Sequence, residues 1–166
     1  MMVADLNIGL DAVQVSLIQF GRNVVREFGL TNYTTREELK QAIIGLQRIK
    51  GKSGTNIPDA VKAGVDLLRE DGRNVTKWLV LFTDGRSTVS PREQTLQEAA
   101  NYATAGDVVN IAVGFGSRLQ EDITRSLQEL RMIAQGKRGH VFLQPDVAAV
   151  AELRSRIVGN IQCCEL

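Results

Sequence analysis

The feature that most constrains the fold is the apolar run WLVLF at residues 78–82, which Thr83-Asp84-Gly85 closes. No polar residue alternates within the run, so both faces of an extended segment would be apolar. Such a strand is typical of a parallel sheet that is covered on both sides. The run is far shorter than the roughly 18 residues that span a bilayer, so we expect no membrane insertion.

Strand and helix patterns alternate along the rest of the chain. Residues 13–20 and 24–30 form a predicted hairpin, and a capping box at Thr35-Arg36-Glu37-Glu38 begins a helix that continues to Ile49. This order predicts an α/β fold with a doubly wound, mostly parallel sheet and helices on both faces. The other predicted elements are strands 77–82, 108–113 and 140–143 and helices 58–70, 92–105, 119–134 and 147–161.

Composition excludes several classes of function. The chain has 166 residues and a net charge of +1, from 20 Lys and Arg against 19 Asp and Glu, so no nucleic acid partner is expected. Its length suits one domain, which we assign to residues 1–162, followed by a tail at residues 163–166. The adjacent Cys163 and Cys164 are either free thiols or one of them pairs with a cysteine outside this chain.

Two loops carry candidate ligands for a cation. Asp84 lies just past the most apolar strand, where a carboxylate is costly unless it is solvated, hydrogen-bonded or bound to a cation. Thr55, in the loop Ser53-Gly54-Thr55-Asn56, offers a hydroxyl to a hard cation. Each has a simpler alternative, since Asp84 could cap its loop and the second loop could only turn the chain.

Patterns of known enzymes are incomplete in this chain. Gly51-Lys52-Ser53 follows a helix and lacks the glycine spacing of a phosphate-binding loop, and Gly114-Phe115-Gly116 lacks the third glycine of a dinucleotide loop. His140 is the only histidine, which leaves histidine-based zinc sites and catalytic triads hard to build. A receiver domain would need an acidic pair where Gln19-Phe20-Gly21 stands. The chain is therefore not expected to be an enzyme.

Several segments together resemble the von Willebrand factor type A domain of collagens, matrilins and related matrix proteins. The resemblance covers nearly the whole chain. It implies a doubly wound sheet with one antiparallel edge strand and a metal-ion-dependent adhesion site at one end of that sheet. The segments that carry it are residues 13–20, 32–39, 54–57, 79–85, 109–114 and 139–142.

The resemblance implies a cation site of oxygen ligands. In it Thr55 and Asp84 would help to bind Mg²⁺ or Mn²⁺, and a partner's carboxylate would complete the shell. The family's first strand, which carries the other three ligands in a D-x-S-x-S motif, has no match here. It would lie between the strands at 13–20 and 76–83. We therefore expect weak metal binding at best and hypothesise that the intact protein has an upstream segment.

The leading functional expectation is a non-enzymatic adhesion module of a larger, multidomain extracellular protein. Its partner would be an extracellular matrix protein such as collagen, or a cell-surface receptor. The alternative is a scaffold domain that binds protein without a metal. The sequence MMVADLNIGL is not a signal peptide, because Asp5 interrupts the apolar centre, so secretion would depend on a longer precursor. Two glycosylation sequons, at Asn32 and Asn74, are a weak indication of secretion.

Overall fold

The structure, a computed structural model, describes residues 6–47, 54–70, 73–84, 86–88, 92–105, 108–116, 122–134 and 140–143, and the single residues 151 and 155. Strands and helices alternate over most of this length. In chain order the elements are β1 (Leu17–Phe20), β2 (Val24–Phe28), α1 (Arg36–Ile44), α2 (Ile57–Glu70), β3 (Lys77–Thr83), α3 (Arg92–Thr104), β4 (Val108–Gly114), α4 (Ile123–Ile133) and β5 (His140–Leu143).

The described strands form two separate sheets. β1 and β2 are an antiparallel pair, with Phe20 opposite Val24. β3, β4 and β5 form a parallel sheet in that order, with Leu81 opposite Ala112. The parallel sheet, its connecting helices and the antiparallel pair confirm the predicted α/β class.

Local sequence signals explain where the helices begin. The Thr35 side chain accepts a hydrogen bond from the backbone N–H of Glu38, and the Glu38 carboxylate accepts one from the Thr35 N–H, so the predicted capping box forms. α2 begins at Ile57, and Pro58 occupies its first turn, where the missing N–H is no loss. Asp122 caps α4 by accepting a hydrogen bond from the N–H of Arg125.

Two predicted boundaries were wrong by several residues. β1 begins at Leu17 and not at residue 13, because the Val13 backbone bonds Asn7 and Gly9 in a local turn, 2.9 and 3.2 Å away. The first helix ends at Ile44, where the N–H of Gly45 bonds back to a carbonyl of the last turn. Residue 46 is therefore outside the helix, despite its apolar side chain.

Some predictions fall on residues that the structure does not describe. They are residues 119–121 of helix 119–134, most of helix 147–161, and the tail with Cys163 and Cys164. Residues 151 and 155 are described and are helical.

The main core lies between the parallel sheet and helices α2, α3 and α4. Leu81 on β3 packs with Val61 and Val65 of α2 and Leu96 of α3, and Ala112 of β4 packs with α4. The opposite face of the sheet carries its own apolar cluster, formed by Trp78, Val80, Ile111, Val113 and Phe142. Both faces of β3 are therefore apolar, as its unbroken run predicted.

Helix α2 connects the two sheets, since it packs against β1, β2 and β3. Phe20 of β1 and Leu79 of β3 contact the same core cluster. Among the described residues, no strand lies between β1 and β3. The resemblance places the family's first strand between these two strands. No helix in the described ranges is long and apolar enough to cross a membrane.

Candidate functional site

Asp84 lies directly after β3, and its side chain is exposed to solvent. The loop after β4 lies beside it, because the N–H of Phe115 donates to the carbonyl of Thr83 across 2.9 Å. Gly116 has a φ of +94°, which favours glycine, and a β-carbon there would lie 3.5 Å from the Cβ of Asp84. Asp84 is therefore placed at the carboxyl end of the parallel sheet, where ligands bind in open α/β folds.

The loop that carries Thr55 is tied to the segment that follows Asp84. The N–H of Thr55 donates to Oγ1 of Thr88 across 2.8 Å, and the N–H of Thr88 donates to the carbonyl of Thr55 across 2.8 Å. The N–H of Asn56 donates to the carbonyl of Gly21 across 2.7 Å. The loop thus joins the carboxyl end of β1 to the chain leaving β3.

These contacts bring the two predicted ligands to one edge of the fold. Thr88 is four residues after Asp84 and bonds Thr55 twice. We call this edge, formed by residues 54–56, 84, 86–88 and 115–116, the rim. That both side chains bind one ion remains a prediction.

Residues of helix α4 and its N-cap hold the rim in place through contacts that the sequence patterns did not predict. The carboxylate of Glu129 accepts a hydrogen bond from the N–H of Ser87 across 3.0 Å, and both residues are buried. Arg86 forms an ion pair with Asp122 at 2.8 Å. A signal for the first contact was present, because Glu129 lies on the buried face of an amphipathic helix with Leu130.

The rim offers the type of oxygen ligand that a hard cation prefers, but it offers only a small number of them. A threonine hydroxyl and a carboxylate are ligands that Mg²⁺ and Mn²⁺ accept. In the part of the chain that the structure describes, no three His, Cys, Asp or Glu side chains group as a metal site. Thr55 and Asp84 are two side chains of this kind, whereas Mg²⁺ takes about six oxygen ligands.

Comparisons with known proteins agree with this architecture. Integrin alpha-1 of Gallus gallus is 31% identical over 144 residues, which cover 80% of this chain and 48% of that protein. Matrilin-4 of Mus musculus is 28% identical over 164 residues, which cover 94% of this chain and 24% of that protein. The chain therefore spans less than half the length of either relative.

Solved structures share the fold. Proximal thread matrix protein 1 from the mussel byssus, with a zinc-occupied MIDAS motif, superposes with a TM-score of 0.74 at 20% identity. That match covers 95% of this chain and 38% of the other. The sequence model of the von Willebrand factor type A domain matches residues 1–156. The resemblance seen in the sequence is thus confirmed: the chain belongs to the von Willebrand factor type A domain family.

Proposed function

We propose that this domain is a non-enzymatic adhesion module that binds a protein partner through a divalent cation at the rim. Thr55 and Asp84 would hold the ion. The observation that carries the proposal is the pair of hydrogen bonds between Thr55 and Thr88, which keeps the Thr55 loop beside the segment leaving Asp84. Relatives named as integrins, matrilins and collagens support a role in adhesion or matrix assembly.

The charges at the rim favour an acidic ligand. A bound Mg²⁺ or Mn²⁺ would supply a positive charge that a single carboxylate does not neutralise, and it could accept an oxygen from the partner. Arg86 is already paired with Asp122, so it does not neutralise Asp84 directly. Asp84 would set the charge of the site, Thr55 would orient one coordination position, and a carboxylate of the partner would replace a water.

The partner would be an extracellular matrix protein such as collagen, or a cell-surface receptor, and the domain would act within a larger extracellular protein. The relatives support this setting, because the matched region is only part of each. Asn32 and Asn74, which begin the two glycosylation sequons, are both exposed. Their exposure is compatible with glycosylation in a secreted protein.

A solid-phase binding experiment tests the proposal. The full chain is applied to immobilised collagen, and separately to immobilised matrilin and to an immobilised integrin ectodomain, in Mg²⁺, in Mn²⁺ or in EDTA. Binding should need the cation and should fall at least tenfold in Asp84→Ala and in Thr55→Val. Asp11→Ala, which removes an exposed carboxylate elsewhere, is the matched control and should bind normally. Cation-independent binding that survives both rim substitutions would reject the proposal.

The second candidate is a scaffold domain that binds protein without a metal. It is favoured by the small number of acidic ligands, because Asp84 is not grouped with two further metal-binding side chains in the described ranges. In the same experiment this candidate predicts equal binding in Mg²⁺ and EDTA. It also predicts that Asp84→Ala binds as well as the natural sequence.

A further inference from the structure

Two consecutive residues of the segment that leaves Asp84 are bonded to helix α4 or to its N-cap. The guanidinium of Arg86 donates to the carboxylate of Asp122, the N-cap residue, across 2.8 Å. The backbone N–H of Ser87 donates to the carboxylate of Glu129 across 3.0 Å. The two acids are about two helical turns apart. The segment is therefore attached to α4 at two points along the helix.

The same segment is bonded to Thr55 on its backbone. The N–H of Thr55 donates to Oγ1 of Thr88, and the Thr55 carbonyl accepts the N–H of Thr88, each across 2.8 Å. The hydroxyl of Ser87 donates to that carbonyl across 3.4 Å. The Thr55 hydroxyl is joined to this backbone through a single, stiff side-chain torsion. A displacement of residues 87 and 88 would therefore move the hydroxyl with them.

The contact with Glu129 is the one of the two attachments to α4 that is shielded from water. Ser87 is fully buried and Glu129 is 7% exposed, whereas the side chains of Arg86 and Asp122 are 30% and 43% exposed. A solvated ion pair contributes little. A buried hydrogen bond to a carboxylate is strong, and losing its acceptor is costly. Glu129 is therefore the attachment that determines where the segment lies.

We propose that Glu129 is a positioning residue of the rim. Through Ser87 it fixes the place from which Thr55 presents its hydroxyl, so the affinity of the rim for a cation depends on helix α4. The effect on the cation rests on the function proposed above, whereas the effect on the Thr55 loop does not. Because coupling between two sites is reciprocal, an ion bound at the rim should in turn protect the bond between Ser87 and Glu129.

The experiment makes two measurements on the full chain, at a temperature at which circular dichroism shows each variant to be folded. Hydrogen exchange of the Thr55 and Thr88 amides is followed by NMR in EDTA. Mn²⁺ affinity is measured from the electron paramagnetic resonance signal of the free ion. The variants are Glu129→Ala, Glu129→Gln, Thr88→Val and the double variant Glu129→Ala/Thr88→Val. Gln128→Ala, exposed on the same helix, is the matched control.

Glu129→Ala should speed exchange at both amides by about tenfold, because the segment loses its buried acceptor. It should weaken Mn²⁺ binding by about tenfold, the lower end of what losing a group that orients a metal ligand costs. Glu129→Gln should restore most of both losses. The double variant should bind Mn²⁺ no more weakly than the weaker single variant, because both substitutions break one path. A purely stabilising contact would leave the Mn²⁺ affinity of the folded chain unchanged.

Unchanged exchange at Thr55 in Glu129→Ala would overturn the positioning role, whatever the ion does. Additive losses of Mn²⁺ affinity in the double variant would also overturn it. Failure of the natural chain to bind Mn²⁺ would reject the cation site and the dependence of its affinity on α4. In that case the exchange measurement still decides whether Glu129 positions the Thr55 loop.

Discussion

Replacing Glu129 by alanine should destabilise the domain, because it removes a hydrogen bond between helix α4 and the rim. The hydrogen bonds of the parallel sheet should stay unchanged. Glu129 is 7% exposed, and its carboxylate accepts the N–H of Ser87, which is fully buried. The alanine variant removes the acceptor and leaves that N–H without its partner on α4. Glu129→Gln keeps a carbonyl oxygen and both side-chain methylenes at the same positions. It therefore separates the contribution of the hydrogen bond from that of the negative charge.

The magnitude follows from two contributions. A buried donor that loses its acceptor costs about 1–3 kcal/mol, and the one buried methylene that alanine lacks, at Cγ, contributes about 0.8 kcal/mol. We therefore expect Glu129→Ala to lower the free energy of unfolding by about 2–4 kcal/mol, against a total near 5–15 kcal/mol for a domain. Glu129→Gln should lose only about 1 kcal/mol, since a neutral hydrogen bond replaces a charge-assisted one.

Urea unfolding, followed by Trp78 fluorescence and by circular dichroism, measures both changes. Gln128→Ala is the matched control, because Gln128 is exposed on the same helix and should change the unfolding free energy by less than 0.5 kcal/mol. Equal stability of Glu129→Ala and the control would refute the role of this hydrogen bond. Equal losses in the alanine and glutamine variants would show that charge, and not the bond to Ser87, is responsible.

Three further substitutions test other parts of the structure. The Asp66 carboxylate accepts the hydroxyl proton of Tyr102 and raises the pKa of that tyrosine, so Asp66→Asn should lower this pKa in a titration followed at 295 nm. The stabilisation from this contact is present below the ordinary tyrosine pKa, near 10, and is lost as the pH rises through the raised pKa; an unchanged titration would exclude the contact. Asn110 is 1% exposed, and its side-chain amide has no hydrogen-bond partner among the described residues. Asn110→Val should therefore raise the unfolding free energy by about 1–3 kcal/mol, and a loss in urea unfolding would show that the amide has a partner. Gly116→Ala places a β-carbon at a φ of +94° and should cost about 1–3 kcal/mol, whereas unchanged stability would show that the loop adopts another conformation.

The elements that the sequence predicted well are those set by local chemistry. The unbroken apolar run of β3, the capping box at Thr35 and the proline in the first turn of α2 each depend on neighbours a few residues away. The two wrong boundaries also have local causes, but these are hydrogen bonds of the backbone and leave no pattern in the side chains. Val13 is apolar and alternates with its neighbours, yet its backbone is bonded in a turn.

The rim was only partly predictable, because its geometry depends on contacts distant in sequence. Asp84 and Thr55 could be selected from strand ends and loop composition. The bonds that position them join residues 33 apart, at Thr55 and Thr88, and 42 apart, at Ser87 and Glu129. Thr88 lies in a loop, where no periodic pattern of the sequence indicates its role. Glu129, in contrast, is an acidic residue on the apolar face of a predicted helix.

The measurement that tests the central claim most directly is a titration of the ¹⁵N-labelled chain with Mn²⁺, followed by NMR. A paramagnetic ion held by both proposed ligands should broaden the amide signals of Thr55 and Asp84 together, at the same Mn²⁺ concentration. EDTA should restore them, and Asp84→Asn should prevent the broadening. Broadening at Asp84 without Thr55, or equal broadening at exposed carboxylates such as Asp11 and Glu70, would contradict a shared cation site at the rim.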